Sequence, residues 1–218
     1  MTRVLVVDDQ ELVRAGFTLI LQKAGMEVVG QSADGLEAVE MALDLEPTIV
    51  LMDVRMPKLD GIEATRRLLA KATFEVKVLA LTTFDLDEYI YAAVQAGASG
   101  FLLKDVSPDD LVHAVRVVAR GDAMLAPALT RRLLDRFASQ PLPGSLPSSL
   151  QALTERELAV ARLVARGMSN AAIGSELFLS EATVKTYVSR LLTKLGLRDR
   201  VQVAVLAYES GLVQVGDS

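Results

Sequence analysis

The chain has 218 residues, 51% of them apolar, and a formal net charge of −5, a size that allows one or two domains with a sizeable core. It contains no cysteine and a single histidine, which excludes a disulfide framework and a Cys/His zinc site. The charge is uneven: residues 1–122 carry −8, whereas residues 183–200 hold five basic side chains against one acid, Asp199, a bias that suits a polyanionic partner.

The start, Met1-Thr2-Arg3-Val4, leads straight into Asp8-Asp9 without an apolar leader, so it does not read as a signal peptide. No apolar run approaches the roughly 20 residues that a membrane helix needs. The expectation is a soluble, cytoplasmic protein with no membrane partner. Val4-Leu5-Val6-Val7 is an unbroken apolar run, as a strand buried on both faces of a parallel sheet requires, and it ends in Asp8-Asp9. Leu12, Val13, Phe17, Ile20 and Leu21 then recur at helical spacing up to Gly25. Residues 26–30 read as a second strand, and Ala33-Asp34-Gly35 turns into a helix bearing Leu36, Val39, Ala42 and Leu43. Past Pro47 comes the central strand, Thr48-Ile49-Val50-Leu51-Met52-Asp53, which Val54-Arg55-Met56-Pro57 terminates. A helix spans Gly61 to Leu69. Val78 to Leu81 is a strand delivering Thr82-Thr83, and Asp85-Leu86-Asp87-Glu88 opens a helix that Gly97 closes. Phe101-Leu102-Leu103 runs into Lys104-Asp105, and Ser107-Pro108 starts a fifth helix through Leu111, Val115 and Val118 to Gly121. Strands and helices alternating with short connections imply a doubly wound, five-stranded parallel α/β sheet over residues 1–121.

Residues 122–149 read as a linker. A helix over 128–138 carries Leu129, Leu133, Leu134 and Phe137, and residues 139–149 contain three prolines, four serines and a glycine. Residues 150–218 show no strand pattern. Thr154-Glu155-Arg156-Glu157 is a capping box; Ser169 or Asn170 caps a short helix to Leu177; Phe178-Leu179 turns; Ser180 caps a longer helix to Gly196; and Asp199 caps a last one. Two short helices and a longer basic one give an all-α, four-helix domain with a helix-turn-helix pattern.

In an open parallel sheet, ligands bind beyond the carboxyl ends of the strands. Four strand ends here deliver Asp8-Asp9, Asp53, Thr82 and Lys104. Crowded carboxylates repel, and a hard cation such as Mg²⁺ relieves this with oxygen ligands. A carboxylate nucleophile beside a metal, an ammonium and a hydroxyl suits phosphoryl transfer. His113, the lone histidine, reads as a helix residue rather than a catalyst.

Asp8-Asp9, Asp53-x-x-Met-Pro57, Thr82 and Lys104, with Ala-Gly-Ala-Ser-Gly-Phe-Leu-Leu-Lys, resemble the receiver domain of bacterial two-component response regulators. Leu-Thr-Glu-Arg-Glu, Ile173-Gly174-Ser175-Glu176-Leu177 and Thr-Val-Lys-Thr-Tyr-Val-Ser-Arg resemble the LuxR-type helix-turn-helix, and the combination is that of the NarL/FixJ family. The resemblance implies a flavodoxin-like strand order 2-1-3-4-5. It makes Asp53 the phosphoacceptor for a partner sensor histidine kinase. Mg²⁺ would be held by Asp8, Asp9, Asp53 and the backbone carbonyl of Arg55. Lys104 would bind the phosphoryl oxygens, with Thr82 and Phe101 as switch residues. It implies a homodimer formed on phosphorylation and bound to paired half-sites in double-stranded promoter DNA, with Lys185, Thr186 and Ser189 facing bases and Thr183, Tyr187, Arg190 and Lys194 facing phosphates. Lys104-Asp105 departs from the Lys-Pro of many receivers. A Mg²⁺-dependent aspartyl-phosphate phosphohydrolase would need an acid at Arg55, and a small-molecule-sensing LuxR-type regulator has no use for acidic strand ends.

Overall fold

A computed structural model describes residues 1–83, 87–120, 124–125, 150 and 152–213. The expected helix over 128–138, the Pro/Ser-rich stretch, Gly121 and the residues Asp85 and Leu86 lie outside these described residues. The chain divides into two compact units, Met1–Ala126 and Pro127–Ser218.

The first unit is a parallel sheet built from β1 (Arg3–Val7), β2 (Glu27–Ser32), β3 (Ile49–Asp53), β4 (Lys77–Thr82), β5 (Gly100–Leu103) and β6 (Met124–Leu125), in the order β2-β1-β3-β4-β5-β6. Its helices are α1 (Glu11–Lys23), α2 (Gly35–Leu45), α3 (Gly61–Lys71), α4 (Asp87–Gln95) and α5 (Pro108–Ala119). The five expected strands take the expected order. β6 is an addition: two residues pairing parallel with Gly100 and Phe101 of β5, too short to leave a periodic signal. β2 runs on to Gln31 and Ser32, past the expected Gly30, because an edge strand need not stay apolar.

The unbroken apolar runs follow from burial on both faces. Val4, Val6, Ile49, Leu51, Leu79 and Leu81 pack with Phe17 and Leu21 of α1 and Leu111, Val115 and Val118 of α5. The alternate residues, Leu5, Val7, Val50, Met52 and Val78, pack with Ala38 and Ala42 of α2 and Ala64 and Leu68 of α3. Successive side chains leave a strand on opposite faces, so each face receives its own core.

The second unit contains α6 (Glu155–Ala165), α7 (Asn170–Leu177), α8 (Glu181–Leu195) and α9 (Arg200–Glu209). Each starts on a side-chain cap: Thr154 with Glu157 in a reciprocal capping box, then Ser169, Ser180 and Asp199. Their apolar faces meet in one core that includes Val160, Val164, Ile173, Val184, Leu191, Val203 and Ala207. Among the described residues, no helix is long and apolar enough to cross a membrane.

Candidate functional site

At the carboxyl edge of the sheet, β1 delivers Asp8, wholly buried, and Asp9, exposed; β3 ends on Asp53, 3% exposed; and β5 leads to Lys104. Lys104 Nζ lies 2.6 Å from Asp8 Oδ2 and 2.8 Å from Asp53 Oδ2, so one ammonium spans two carboxylates. Asp8 Oδ1 accepts from the Gln10 N–H at 2.9 Å and Asp53 Oδ1 from the Arg55 N–H at 3.3 Å. One carboxylate oxygen from each of Asp8, Asp9 and Asp53 lies within 4.8 Å of the other two. Three carboxylates against one ammonium leave an excess of negative charge and a set of hard oxygen ligands, the chemistry of a small divalent cation.

Burial pushes the Asp53 carboxyl above the usual carboxylate range; Asp8 adds to this, and the Lys104 ammonium and the Arg55 amide pull the other way without cancelling it. Burial acts on Lys104 to lower its pKa, but its contacts with Asp53 and Asp8 outweigh that and hold it above the ordinary lysine value.

The loop after β3 is built for close approach. The Gly61 N–H donates to the Val54 carbonyl at 3.0 Å, and a Cβ at Gly61 would stand 1.9 Å from the Asp53 carbonyl oxygen. Lys58, at φ +64°, reaches across to the buried N-cap Asp34 at 2.6 Å, and that contact holds the Asp34 carboxyl below its ordinary value. Arg14 of α1 donates to the Asp8 carbonyl at 2.7 Å and anchors the loop bearing the two acids. None of these three contacts announces itself in the sequence beyond the Asp-Gly pair at Asp60-Gly61.

A cavity of about 330 Å³ opens at this edge, lined by Asp9, Gln10, Asp53, Arg55, Met56, Thr83 and Lys104. Thr83 is the hydroxyl on its wall, 3.3 Å from Arg55 Nη2. Thr82 closes β4 at 6% exposure, and the Lys104 N–H donates to its carbonyl at 2.8 Å. Phe101 is fully buried within β5, and His113 is exposed on α5.

On α8, Val184 and Leu191 face the core, while Thr183, Lys185, Thr186, Ser189 and Arg190 are exposed. Lys185 and Ser189 stand one helical turn apart and share a face. Two of the hydroxyls are engaged locally: Thr183 Oγ1 sits 2.8 Å from the Ser180 cap, and Thr186 Oγ1 donates to the Ala182 carbonyl at 3.0 Å. Tyr187 is half-buried against the helical core. Lys194, expected to face phosphate, has its ammonium 2.8 Å from Glu157 Oε2 and stays 43% exposed. That pairing spans 37 positions and carries no local sequence signal.

Residues 4–116 match the response regulator receiver domain, and residues 151–207 match the bacterial regulatory proteins of the luxR family. The chain is 40% identical over 218 residues to the transcriptional regulatory protein LnrK of Bacillus subtilis, covering 97% of this chain and 99% of LnrK. It is 38% identical over 213 residues to the response regulator protein VraR of Staphylococcus aureus, covering 97% and 99% of the two chains. The crystal structure of the response regulator ChrA, from a heme-sensing two-component system, superposes with a TM-score of 0.52 at 35% identity, covering 97% of this chain and 98% of ChrA. A doubly wound sheet with an acidic edge, followed by a helix-turn-helix unit, defines a receiver joined to a DNA-binding module. The chain belongs to the two-component response regulators with a LuxR-type DNA-binding domain, which control transcription and are not enzymes.

Proposed function

We propose that Asp53 accepts a phosphoryl group from a partner histidine kinase in the cytoplasm, and that this event switches the protein to a dimer that binds paired half-sites in promoter DNA. The receiver would occupy residues 1–121, a linker 122–149 and the DNA-binding domain 150–218. The observation that carries the reading is the bridge from Lys104 to both Asp8 and Asp53 beside a third carboxylate, Asp9.

In the transfer, an Asp53 carboxylate oxygen attacks the phosphorus of the kinase phosphohistidine. The P–N bond breaks, and its electron pair returns to the imidazole. Asp8, Asp9, Asp53 and the Arg55 carbonyl would hold Mg²⁺, and their all-oxygen donor set fits it. Bound there, the ion neutralises charge on the phosphoryl oxygens. Lys104 moves its ammonium from the Asp53 oxygen to a phosphoryl oxygen. The Thr82 hydroxyl donates to another, and Phe101 repacks with it.

In a helix-turn-helix the second helix enters the major groove. Lys185, Thr186 and Ser189 then meet base edges, and Lys can donate to guanine O6 and N7. Thr183, Tyr187 and Arg190 contact phosphates, which fix position without specifying sequence. Lys194, paired with Glu157 and still 43% exposed, contacts phosphate as well. Pairing of receivers raises the effective concentration of the second DNA-binding domain at the second half-site. An unphosphorylated receiver that masks α8 is the rival switch, and fragment 148–218 separates the two. Pairing predicts weak DNA binding by the fragment and a phosphorylated dimer in sedimentation. Masking predicts a fragment that binds better than the unphosphorylated full chain.

The chemistry is tested by treating the full chain with acetyl phosphate and Mg²⁺ and measuring its intact mass. One stable phosphate adduct supports the reading. Phosphate release with turnover supports a phosphohydrolase, and no reaction supports a sensor of another kind.

A further inference from the structure

Helix N-caps favour Ser, Thr, Asp or Asn, because a short side-chain oxygen reaches back to the orphan N–H groups of the first turn. The caps of α2, α3 and α5, Asp34, Asp60 and Ser107, each accept such a bond. α1 departs from this. Its N-cap is Gln10, at φ −88° and ψ 112°, and the Gln10 side chain caps nothing. A residue that breaks a local rule without serving the fold points to a functional role.

Gln10 borders the phosphoacceptor cavity. Its N–H donates to Asp8 Oδ1 at 2.9 Å. Lys104 Nζ lies 2.6 Å from the other oxygen of that carboxylate and 2.8 Å from Asp53 Oδ2. The backbone of residue 10 is thus linked to Asp53 through one carboxylate and one ammonium. The Gln10 side chain is held by nothing comparable: the residue is exposed, and among the described residues its carboxamide makes no hydrogen bond. Its neighbours on the cavity wall are committed elsewhere. Lys104 spans the two buried carboxylates, and Asp9 belongs to the oxygen cluster that suits Mg²⁺. Arg55 Nη2 lies 3.3 Å from Thr83 Oγ1. A carboxamide carries an acceptor oxygen and two N–H donors, so it can accept from a water while donating to a second oxygen. It is no base, and it acts on a water by orienting it. Glutamine orients the attacking water in GTP hydrolysis.

We propose that the Gln10 carboxamide positions the water that hydrolyses the Asp53 acyl phosphate, and so sets how long the phosphorylated state lasts. The proposal rests on Asp53 being the phosphoacceptor. The water oxygen attacks phosphorus in line with the Asp53 oxygen. The bond between phosphorus and that oxygen breaks, and its electron pair returns to the carboxylate. Both water protons leave with the product, dihydrogen phosphate. The amide oxygen of Gln10 accepts from the water and aims its lone pair at phosphorus. This hydrolysis is slower than loading, so the adduct accumulates while donor is present and decays once donor is removed.

The test uses the full chain, loaded with acetyl phosphate and Mg²⁺ and then freed of donor in buffer that keeps the Mg²⁺. Intact mass and released phosphate are followed with time, so the readout starts from adduct already formed. The natural adduct should decay faster than acetyl phosphate itself in the same buffer, and in water enriched in oxygen-18 the label should enter the phosphate. The adduct of Gln10→Leu, a side chain without polar atoms, should decay at least about fivefold more slowly. So should that of Gln10→Ser, although serine is the better N-cap and this variant should melt no lower than the natural protein. A role confined to starting α1 would instead leave the serine variant decaying like the natural protein. Decay of both variants within about twofold of the natural rate would overturn the proposal. So would a natural adduct that decays no faster than acetyl phosphate, or label recovered in the Asp53 carboxylate. A natural protein that takes up no phosphate would overturn the reading of Asp53, and the proposal with it, a pattern distinct from adducts that form and then decay alike.

Discussion

Glu157→Ala should destabilise the DNA-binding unit far more than an ordinary helix substitution. Glu157 is 4% exposed, and its Oε2 accepts from the Thr154 N–H at 2.8 Å, the Thr154 hydroxyl at 3.0 Å and the Lys194 ammonium at 2.8 Å. Losing the capping box costs about 1 kcal/mol. Losing the charged contact costs about 1 kcal/mol more, kept small because the Lys194 ammonium, 43% exposed, returns readily to water. The total is about 2 kcal/mol, and the melting of a unit of this size should fall by roughly 10 °C. The sign of the pH dependence follows from the same contacts. Lys194 first, and then the Thr154 amide, hold the folded Glu157 pKa below its unfolded value. The contribution is therefore complete above the unfolded pKa, and it is lost as pH falls through the folded one. Glu157→Gln should keep part of the cap and flatten that acid limb. Thermal melts of both variants from neutral pH down into the carboxylate range read the effect directly. A Glu157→Ala variant within about 0.5 kcal/mol of the natural protein, a span typical of surface changes, would refute the reasoning.

Asp9→Ala should slow phosphorylation by acetyl phosphate and weaken Mg²⁺ binding in titration calorimetry, because it removes an oxygen from the carboxylate cluster; equal rates with and without a chelator would sink the metal assignment. Gly61→Ala should destabilise the receiver by about 2–3 kcal/mol in denaturant melts, since its Cβ would stand 1.9 Å from the Asp53 carbonyl oxygen. Lys185→Ala should weaken binding to the cognate site more than to random DNA, by about 1–3 kcal/mol. Arg190→Ala should weaken both alike and flatten the salt dependence by about one unit; matching behaviour of the two variants would dissolve the division between base and phosphate contacts.

Much of the fold is legible in the chain because its elements obey simple constraints. Val4–Val7 and Ile49–Met52 are unbroken apolar runs because each strand feeds two cores, and Ser107, Ser180 and Asp199 sit where orphan helix N–H groups need acceptors. Asp8, Asp53 and Lys104 could be brought to one place from sequence because parallel strands deliver their ends to one edge. What stays hidden has no local signature. β6 is two residues long. That Thr83 rather than Thr82 lines the cavity depends on where β4 ends. The Glu157–Lys194 pair joins helices far apart in sequence, so Lys194 reads from sequence as one more basic residue on a basic helix. Phe178, between two leucines, reads as a residue of a tight turn, and neither its exposure nor its left-handed backbone shows in its neighbours.

The central claim is that Asp53 is the phosphoacceptor, and one measurement addresses it most directly. The natural protein and Asp53→Asn are each incubated with acetyl phosphate and Mg²⁺, and their intact masses are compared. The account predicts one phosphate on the natural protein and none on Asp53→Asn, with the variant still folded by circular dichroism. An adduct of equal yield on Asp53→Asn would contradict it.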